Sequence, residues 1–296
     1  MKLRDVGEDR LLEQLLAGLE QNSGVVLGPG DDCALVESGK PGLLSMLKTD
    51  CLVEGVHFAD DTRPELVGWK AMARPLSDFA AMSGLPRFAL VTLVAPANRE
   101  VAWVRRLYRG IEKAARKFEV AVVGGETSGI KGPAVISISV TGFIEKKRWV
   151  GRAGGKAGDE LFVTGRLGGS LGGRHLMFVP RILESRWLTA NFPIQAMMDL
   201  SDGLGADLPR LAEASGLDFE LDETTLPLNR GCTVRQAISD GEDYELLFAI
   251  APVHRRRLER SWRKKFPRLA LTRIGSFNRK SKSENRELPS GYVHFR

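Results

Sequence analysis

Acidic residues recur at the ends of apolar runs and inside glycine-containing turns of this 296-residue chain. The five segments are Gly28–Pro29–Gly30–Asp31–Asp32, Lys48–Thr49–Asp50, Leu76–Ser77–Asp78, Gly124–Gly125–Glu126–Thr127 and Met198–Asp199–Leu200–Ser201–Asp202–Gly203. A carboxylate beside a hydrophobic core needs a hydrogen-bond partner, an ion pair or a metal ion. One such residue is explained as a helix cap, as Asp202 would be for a helix beginning at Gly203. Five clusters, placed after strand-like segments where α/β folds bind ligands, favour a common purpose.

Binding of a hard divalent cation would explain why these acidic segments occur together. Mg²⁺ takes oxygen ligands and is shared between carboxylates and substrate phosphates, and phosphoryl transfer depends on positioning and charge neutralisation. Other chemistries lack their motifs: there is no P-loop, no G-x-G-x-x-G after a strand and no G-x-S-x-G, and the four histidines have no zinc spacing. The residues alone predict a Mg²⁺-dependent enzyme acting on phosphates. A non-catalytic nucleotide-binding or assembly module stays open as the alternative.

Strand-like and helix-like segments alternate along the chain. Apolar runs of strand length cover 43–47, 88–94, 120–123, 134–140, 160–163 and 244–250, and helix-like stretches cover 64–82, 99–118, 203–214 and 254–266. This order predicts an α/β (α+β) protein. A stretch rich in Gly, Lys and Arg at 145–159 predicts a domain boundary near residue 147, which gives an N-terminal domain 1–147 and a C-terminal α/β domain 148–296.

Composition excludes several classes of protein. The chain is 43% hydrophobic with 27% charged residues, which argues against disorder, and no apolar run approaches the ~20 residues of a membrane helix. The three cysteines are odd in number and far from any C-x-x-C spacing, which favours a reducing cytoplasm over a disulfide framework or a zinc site.

Two surface helices are expected near the ends of the chain. Leu12, Leu15, Leu16 and Leu19 form a helix-spaced stripe near the N-terminus. The net charge of +6 is concentrated after residue 251, where Leu258, Trp262 and Phe266 recur every four residues. A surface helix with a solvated basic face explains this pattern better than a nucleic-acid patch does.

The acidic segments, in their order, belong to a longer set of motifs. The set adds Val53–Glu54–Gly55–Val56–His57–Phe58, Lys70 to Met82, Gly241–Glu242–Asp243–Tyr244–Glu245–Leu246 and the terminal Gly291–Tyr292–Val293–His294–Phe295. Together these motifs resemble the thiamine-monophosphate kinase family, in the superfamily of aminoimidazole-ribonucleotide synthetase. The resemblance covers most of the chain, and the Val–Glu–Gly–Val–His–Phe and Gly–Glu–Asp–Tyr–Glu–Leu segments distinguish this family from its relatives.

The resemblance implies a two-domain aminoimidazole-ribonucleotide synthetase-like fold, with a mixed sheet and helices in the N-terminal domain and a C-terminal α/β domain. It also implies transfer of the γ-phosphoryl group of ATP directly to thiamine monophosphate. It implies several Mg²⁺ ions and a homodimer joined through the N-terminal domains. By motif position it implies Mg²⁺ ligands at Asp32, Thr49, Asp50, Asp78, Glu126, Asp199 and Asp202. It implies ATP contacts at Gly125, Glu126, Arg152 and Ser201, and contacts to the thiamine phosphate at His57, Glu242 and Tyr292. Arg152 suits forked phosphate binding, and Tyr292 offers a flat face to an aromatic ring.

Four features depart from the family pattern. Lys48 stands where the family usually has Ser or Thr, and a cation there would replace the charge of a metal ion or contact a phosphate. Glu126 replaces an Asp, which moves the carboxylate by ~1.5 Å. Val293 replaces an acidic residue, and the region 168–181 is short. These departures keep two alternatives open: a relative that phosphorylates another acceptor, and a degenerate member that binds nucleotide without catalysis.

Overall fold

The computed structural model describes residues 2–280 and 288–289 of the chain. Its helices are α1 (Leu3–Val6), α2 (Glu8–Leu16), α3 (Pro64–Ala81), α4 (Val101–Lys117), α5 (Ile182–Asn191), α6 (Leu204–Ala214), α7 (Val234–Ser239) and α8 (Arg255–Lys265). Its strands are β1 (Val25–Leu27), β2 (Ala34–Glu37), β3 (Leu43–Val53), β4 (Leu85–Ala95), β5 (Ala121–Gly129), β6 (Val135–Glu145), β7 (Glu160–Thr164), β8 (Ile194–Asp199), β9 (Asp218–Leu221), β10 (Leu246–Ile250) and β11 (Leu271–Asn278).

The first six strands form a mixed sheet in the order β1-β2-β3-β6-β4-β5. Only the β4–β5 pair is parallel among the strands described, and the other pairs are antiparallel. Because successive side chains of a strand point to opposite faces, β3 buries Leu44 and Met46 on its inner face and turns Thr49 outward. The outer face carries exposed Phe88 and Leu90 on β4, which is separated from β3 by β6.

Helix α3 is buried along nearly its whole length against the inner face of this sheet. It packs on α4 and α5 as well as on the strands, so polar residues within it are also enclosed, among them Lys70, Ser77 and Asp78. A helix surrounded on all sides is expected to be apolar throughout. The buried Lys70 and Asp78 therefore require charged partners, and α3 is the element that positions them.

The second sheet has the order β8-β10-β7-β11-β9, with every described pair antiparallel. One cluster of buried side chains joins the two sheets, since it includes Leu52 and Ile138 from the first and Met197 and Phe248 from the second. The connection between Glu145 and Glu160 contains the boundary expected near residue 147. The division into two domains stays a prediction, because a shared core spans the sheets.

The segments with strong periodicity form the elements expected of them. Helices α3, α4, α6 and α8 begin and end within two residues of the predicted stretches. Leu258 and Trp262 of α8 are buried, as a surface helix with a basic outer face requires. The N-terminal leucine stripe lies on α2 and just after it, with its side chains exposed. Within residues 2–280, no helix combines the length and hydropathy needed to cross a membrane.

Strands β1, β2, β8, β9 and β11, and helices α5 and α7, were not predicted. Strand β8 reads Ile–Gln–Ala–Met–Met–Asp, with one β-branched residue, so its composition gives a weak strand signal although four of its six residues are buried. β11 is interrupted by Arg273 and Gly275 and carries a register shift there. These strands are fixed by pairing within the sheet more than by local preference.

The crossing of α3 and α4 gives the first testable prediction. A Cβ added at Gly110 would lie 2.1 Å from the carbonyl oxygen of Glu65, so the helices touch backbone to backbone. Gly110→Ala should lower the free energy of unfolding by about 1–3 kcal/mol, because the helices must separate to admit the methyl group. Urea denaturation measures this change. Gly172→Ala is the matched control, since no atom lies within 4 Å of its added Cβ; equal losses in both variants would contradict the close contact.

Candidate active site

Three carboxylates from three different parts of the fold meet at one point. Asp32 lies in the loop after β1, Asp78 in α3 and Asp199 at the end of β8. One oxygen of each lies within 4.8 Å of the others. Asp32 and Asp199 are 3% exposed and Asp78 is 9% exposed. The sequence predicted that these three residues act together, and the structure brings them together, although Asp78 lies inside a helix and not after a strand.

The three clustered carboxyl groups have too few cations around them to balance their negative charges. Burial, together with the charge of Asp32, raises the pKa of Asp199 to about 7. Burial also raises the pKa of Asp78 despite the neighbouring Lys48 ammonium. Oδ2 of Asp32 is buried and has no hydrogen-bond partner among the described residues. Clustered carboxylates with a free, buried oxygen fit a divalent cation such as Mg²⁺, which binds oxygen ligands and relieves their mutual repulsion.

Arginine and lysine side chains border the three carboxylates. Arg152, in the connection between the sheets, places Nη2 2.5 Å from Oδ1 of Asp32, and its backbone N–H donates to Asp31 at 3.0 Å. Lys48 Nζ lies 2.7 Å from Oδ1 of Asp78. The position of Arg152, beside the centre and partly open to solvent, suits binding of a phosphate group.

Thr49 and Asp50 follow Lys48 on β3 but point to opposite faces. The hydroxyl of Thr49 accepts a hydrogen bond from Ser139 at 3.0 Å on the outer face of the sheet. Asp50 is on the inner face, with Oδ2 3.0 Å from Nε of Arg74. The structure thus places Asp50 beside an α3 cation, and Thr49 on the face away from α3.

Gly125 and Glu126 lie on β5, at the far edge of the first sheet. Register places Asp50, Ile138, Val91 and Gly125 in one row across four strands, a separation of roughly 14 Å at ~4.8 Å per strand. Gly125 permits the close approach of β5 to β4, since an added Cβ would lie 1.8 Å from the Val91 carbonyl oxygen. Glu126 is exposed and accepts a hydrogen bond from Ser128 at 3.3 Å. Within this chain, Glu126 is separate from the three-carboxylate centre.

Ser201 and Asp202 follow Asp199 at the second and third positions after it. The carbonyl of Ser201 accepts a hydrogen bond from the backbone N–H of Glu242 at 2.7 Å. Asp202 pairs with Arg210 of α6 at 2.5 Å, and its backbone N–H donates to Asp207. Asp202 is half-buried and lies outside the group of three carboxylates.

A cavity of about 1440 Å³ lies between the two sheets' loops. Its walls come from the loop 54–60 after β3, the segment 96–103 around the start of α4, and residues 130–133, with Leu171, His175 and Glu242 from the second half of the chain. A cavity of this size holds a ligand of several rings or a ring with a phosphate. His57 and Glu242, both expected to contact the thiamine phosphate, line it together, whereas Tyr292 lies outside the described residues.

A buried ammonium organises the wall of this cavity. Lys70 is fully buried, and its Nζ lies 2.7 Å from the His57 carbonyl oxygen, from Nδ1 of His175 and from Oε2 of Glu242. Burial lowers the pKa of Lys70 to about 8 against the pull of Glu242. Burial opposes ionisation of Glu242, but hydrogen bonds and charge from His175 and Lys70 lower its pKa to about 2. Burial, with Arg74 and Lys70 nearby, lowers the pKa of His57 to about 4, so this imidazole is neutral at pH 7.

Comparison with known proteins decides the family. Residues 30–144 match the family model described as AIR synthase related protein, N-terminal domain. A thiamine-monophosphate kinase of Rhodopirellula baltica is 38% identical over 97% of this chain and 94% of its own length. The chain belongs to the thiamine-monophosphate kinase family. A solved structure of AaThiL complexed with AMPPCP and TMP matches it with a TM-score of 0.84 and 33% identity over 99% of each chain.

Membership in the thiamine-monophosphate kinase family confirms the predicted fold class and enzyme class. A more distant likeness concerns the fold alone: the E. coli hydrogenase maturation protein HypE has a TM-score of 0.70 at 18% identity, over 93% of this chain and 92% of its own. The roles of individual metal and substrate ligands stay predictions, and the geometry above is their support.

Sequence reasoning missed several residues of this thiamine-monophosphate kinase site. Lys70 was noticed only as the first residue of a motif, although a lysine in a helix that is apolar on every side signals a buried ion pair. His175 falls in the short 168–181 region and carried no signal. Trp103 lines the cavity with the Arg99 guanidinium 4.8 Å from its ring centre, an arrangement that requires the fold.

The raised pKa of Asp199 predicts a pH dependence of stability. In the metal-free protein the folded state keeps a proton on Asp199 up to about pH 7, whereas the unfolded state releases it near pH 4. The free energy of unfolding should therefore fall as pH rises from about 4 to 7, by a few kcal/mol at about 1.4 kcal/mol per pKa unit. Thermal or urea unfolding in EDTA at a series of pH values measures the slope.

Asp199→Asn should make this slope shallower, because the amide does not titrate, and the part that remains comes from other buried carboxyl groups such as Asp207 and Asp243, whose pKa values burial also raises to about 7. Asp218→Asn, on the edge strand β9, is the matched control and should keep the wild-type slope. Added Mg²⁺ at pH 8 should stabilise the wild type more than Asp199→Asn. A wild-type profile that rises between pH 4 and 7 would contradict the crowding of the three carboxylates.

Proposed function

We propose that the chain transfers the γ-phosphoryl group of ATP to the phosphate of thiamine monophosphate and so forms thiamine diphosphate. The observation that carries this proposal is the pairing of a buried carboxylate centre with a separate cavity lined by His57 and Glu242. The AaThiL structure, which holds AMPPCP and TMP together, supports the same two substrates for this fold. Its chain is matched here over 99% of the length.

Arg74 lies between the carboxylate centre and the cavity. Its Nε is 3.0 Å from Asp50, and its Nη1 donates to the carbonyl oxygen of Cys51 at 3.0 Å. Burial disfavours its charge, but Tyr244, Asp50, Glu242 and Asp78 together hold the pKa of Arg74 above its usual range. A permanent cation at this point suits two phosphate groups that approach each other, because their mutual repulsion is the main obstacle to transfer.

Asp32, Asp78 and Asp199 would hold Mg²⁺, with Asp50 and Asp202 as further ligands from the family pattern. When bound, Mg²⁺ neutralises the phosphate oxygens of ATP and fixes their orientation. Arg152 binds phosphate from the edge of the centre, and Ser201 with Gly125 and Glu126 completes the proposed ATP contacts. Thr49 and Glu126 are assigned as ligands by motif position alone. No covalent nucleophile is required, since the acceptor phosphate oxygen is already anionic, and transfer is direct and in line.

On the acceptor side, the chain supplies a neutral imidazole and a carboxylate. His57 offers a hydrogen bond without adding charge, since its pKa is lowered to about 4. Glu242 stays ionised at neutral pH and attracts the positive thiazolium ring of thiamine. The buried Lys70 ammonium holds both residues in place by donating hydrogen bonds to the His57 carbonyl oxygen and the Glu242 carboxylate. We place Tyr292 against the same ligand by motif position.

The active form proposed is a homodimer. Leu47, Phe88 and Leu90 on the outer face of the first sheet are 40–52% exposed, and all of β5 is exposed at the sheet edge. An unpaired edge and an apolar sheet face favour association with a second copy. We assign the reaction to the cytoplasm on the support of the three unpaired cysteines.

The reaction itself is the third prediction. Purified protein should form thiamine diphosphate only when ATP, Mg²⁺ and thiamine monophosphate are all present, as followed by chromatography. Asp78→Asn should reduce kcat by at least 100-fold with the fold retained, because it removes a charge from the metal centre. Asp218→Asn is the control and should match the wild type. ATP hydrolysis without this product would favour a different acceptor, and nucleotide binding without turnover would favour a non-catalytic member.

The dimer gives the fourth prediction. Leu90→Lys places a charge on the exposed sheet face and should convert a wild-type dimer into monomers in sedimentation equilibrium. Leu183→Lys, at a position 75% exposed on α5, makes the same change elsewhere and should leave the dimer intact. A Leu90→Lys variant that stays dimeric would rule out this face as the interface.

A further inference from the structure

Asp78 is contacted by a cation that belongs to the protein itself. Lys48 lies on the inner face of β3, and its side chain is 25% exposed. Its Nζ lies 2.7 Å from Oδ1 of Asp78, which also belongs to the group of three carboxylates. The Asp78 carboxylate therefore contacts the Lys48 ammonium and also lies close to Asp32 and Asp199.

Charge balance shows what this contact does. In the ionised form that binds a metal ion, the three carboxylates carry three negative charges, and Lys48 and Arg152 offset two of them through their contacts with Asp78 and Asp32. Asp50, the next acidic residue, is paired with Arg74. One divalent ion would give the group a net charge of about +1, whereas two would give about +3. Because charges at ~4 Å interact strongly away from bulk water, the second ion is disfavoured while Lys48 stays in place.

The geometry also suits replacement of an ion. An ammonium at 2.7 Å from a carboxylate oxygen lies only slightly farther away than Mg²⁺, which binds oxygen at ~2.0–2.1 Å. Lys48 lies on the same face of β3 as Asp50, so Nζ reaches Asp78 from the strand that also carries this further carboxylate.

We propose that the Lys48 ammonium occupies one cation position of the acidic centre, so that this chain binds one divalent ion fewer than it would with a small hydroxyl residue at position 48. The inference rests on the proposed function only in treating the centre as a Mg²⁺ centre. Lys48 is then a positioning residue that supplies a fixed charge, and its contribution to the centre does not depend on the free Mg²⁺ concentration.

The test counts bound metal. Mn²⁺ serves as the probe, measured per chain by equilibrium dialysis with electron paramagnetic resonance, in saturating AMPPCP so that nucleotide-bound ions are common to all samples. Lys48→Ser should bind one more Mn²⁺ per chain than the wild type. Lys48→Arg keeps a cation and should match the wild type, and Lys265→Ser, the same chemical change on α8, should match it as well.

Equal Mn²⁺ counts in Lys48→Ser and the wild type would overturn the proposal, and if AMPPCP also bound more weakly, Lys48 would be a phosphate contact instead. A crystal of the wild type grown with Mn²⁺ gives an independent check that needs no variant. An anomalous peak bonded to Oδ1 of Asp78 in place of Lys48 Nζ would overturn it, and Nζ retained beside this oxygen would support it. Thiamine diphosphate formation by the same wild-type preparation separates this proposal from the proposed kinase reaction. If the wild type forms the product while Lys48→Ser and the wild type bind equal numbers of Mn²⁺, only the role of Lys48 is contradicted.

Discussion

The burial of three carboxyl groups at one point is the constraint on which the rest of the structure depends. Asp32 comes from the first sheet, Asp199 from the second and Asp78 from the helix between them. Their repulsion has to be offset by hydrogen bonds that cross between these parts, such as Ser77 to Asp199 and Arg152 to Asp32. The hydrogen bonds that stabilise the acidic centre also join the two sheets. The acidic centre is therefore part of the interface between the sheets.

Helix α3 connects this centre to the cavity. Lys70, Arg74 and Asp78 are spaced four residues apart, which places them along about 12 Å of the helix. Lys70 contacts Glu242 at the cavity, Arg74 contacts Asp50 in the middle, and Asp78 contacts Lys48 at the acidic centre. These three ion pairs are thereby held at a fixed spacing by one helix that is buried along nearly its whole length.

Sequence reasoning reached the elements and residues whose signals are local. The period of α3 and the motif around Asp199 are visible in the chain alone, so the helix and the acidic centre were both expected. Strand β8, which carries Asp199, was missed because its sequence has little strand preference and its place depends on β10. Lys70 and His175 were missed because their roles depend on Glu242, which follows them by 172 and 67 positions in the chain. The separation of Glu126 from the centre depends on strand order, which no local pattern contains.

The backbone of the loop that carries Glu242 is tightly constrained, so the cavity wall on this side has little freedom to move. Glu242 and Tyr244 both have positive φ angles, +64° and +51°, which non-glycine residues rarely adopt. They are held there by backbone hydrogen bonds to Ser201 and Leu200, the residues directly after Asp199. A shift of this wall to admit a different acceptor would also move Asp199, a member of the group of three carboxylates. The opposite wall, 54–60 and 96–103, has no such tie to Asp199 among the described contacts, and it is there that a change of acceptor can evolve without displacing this group.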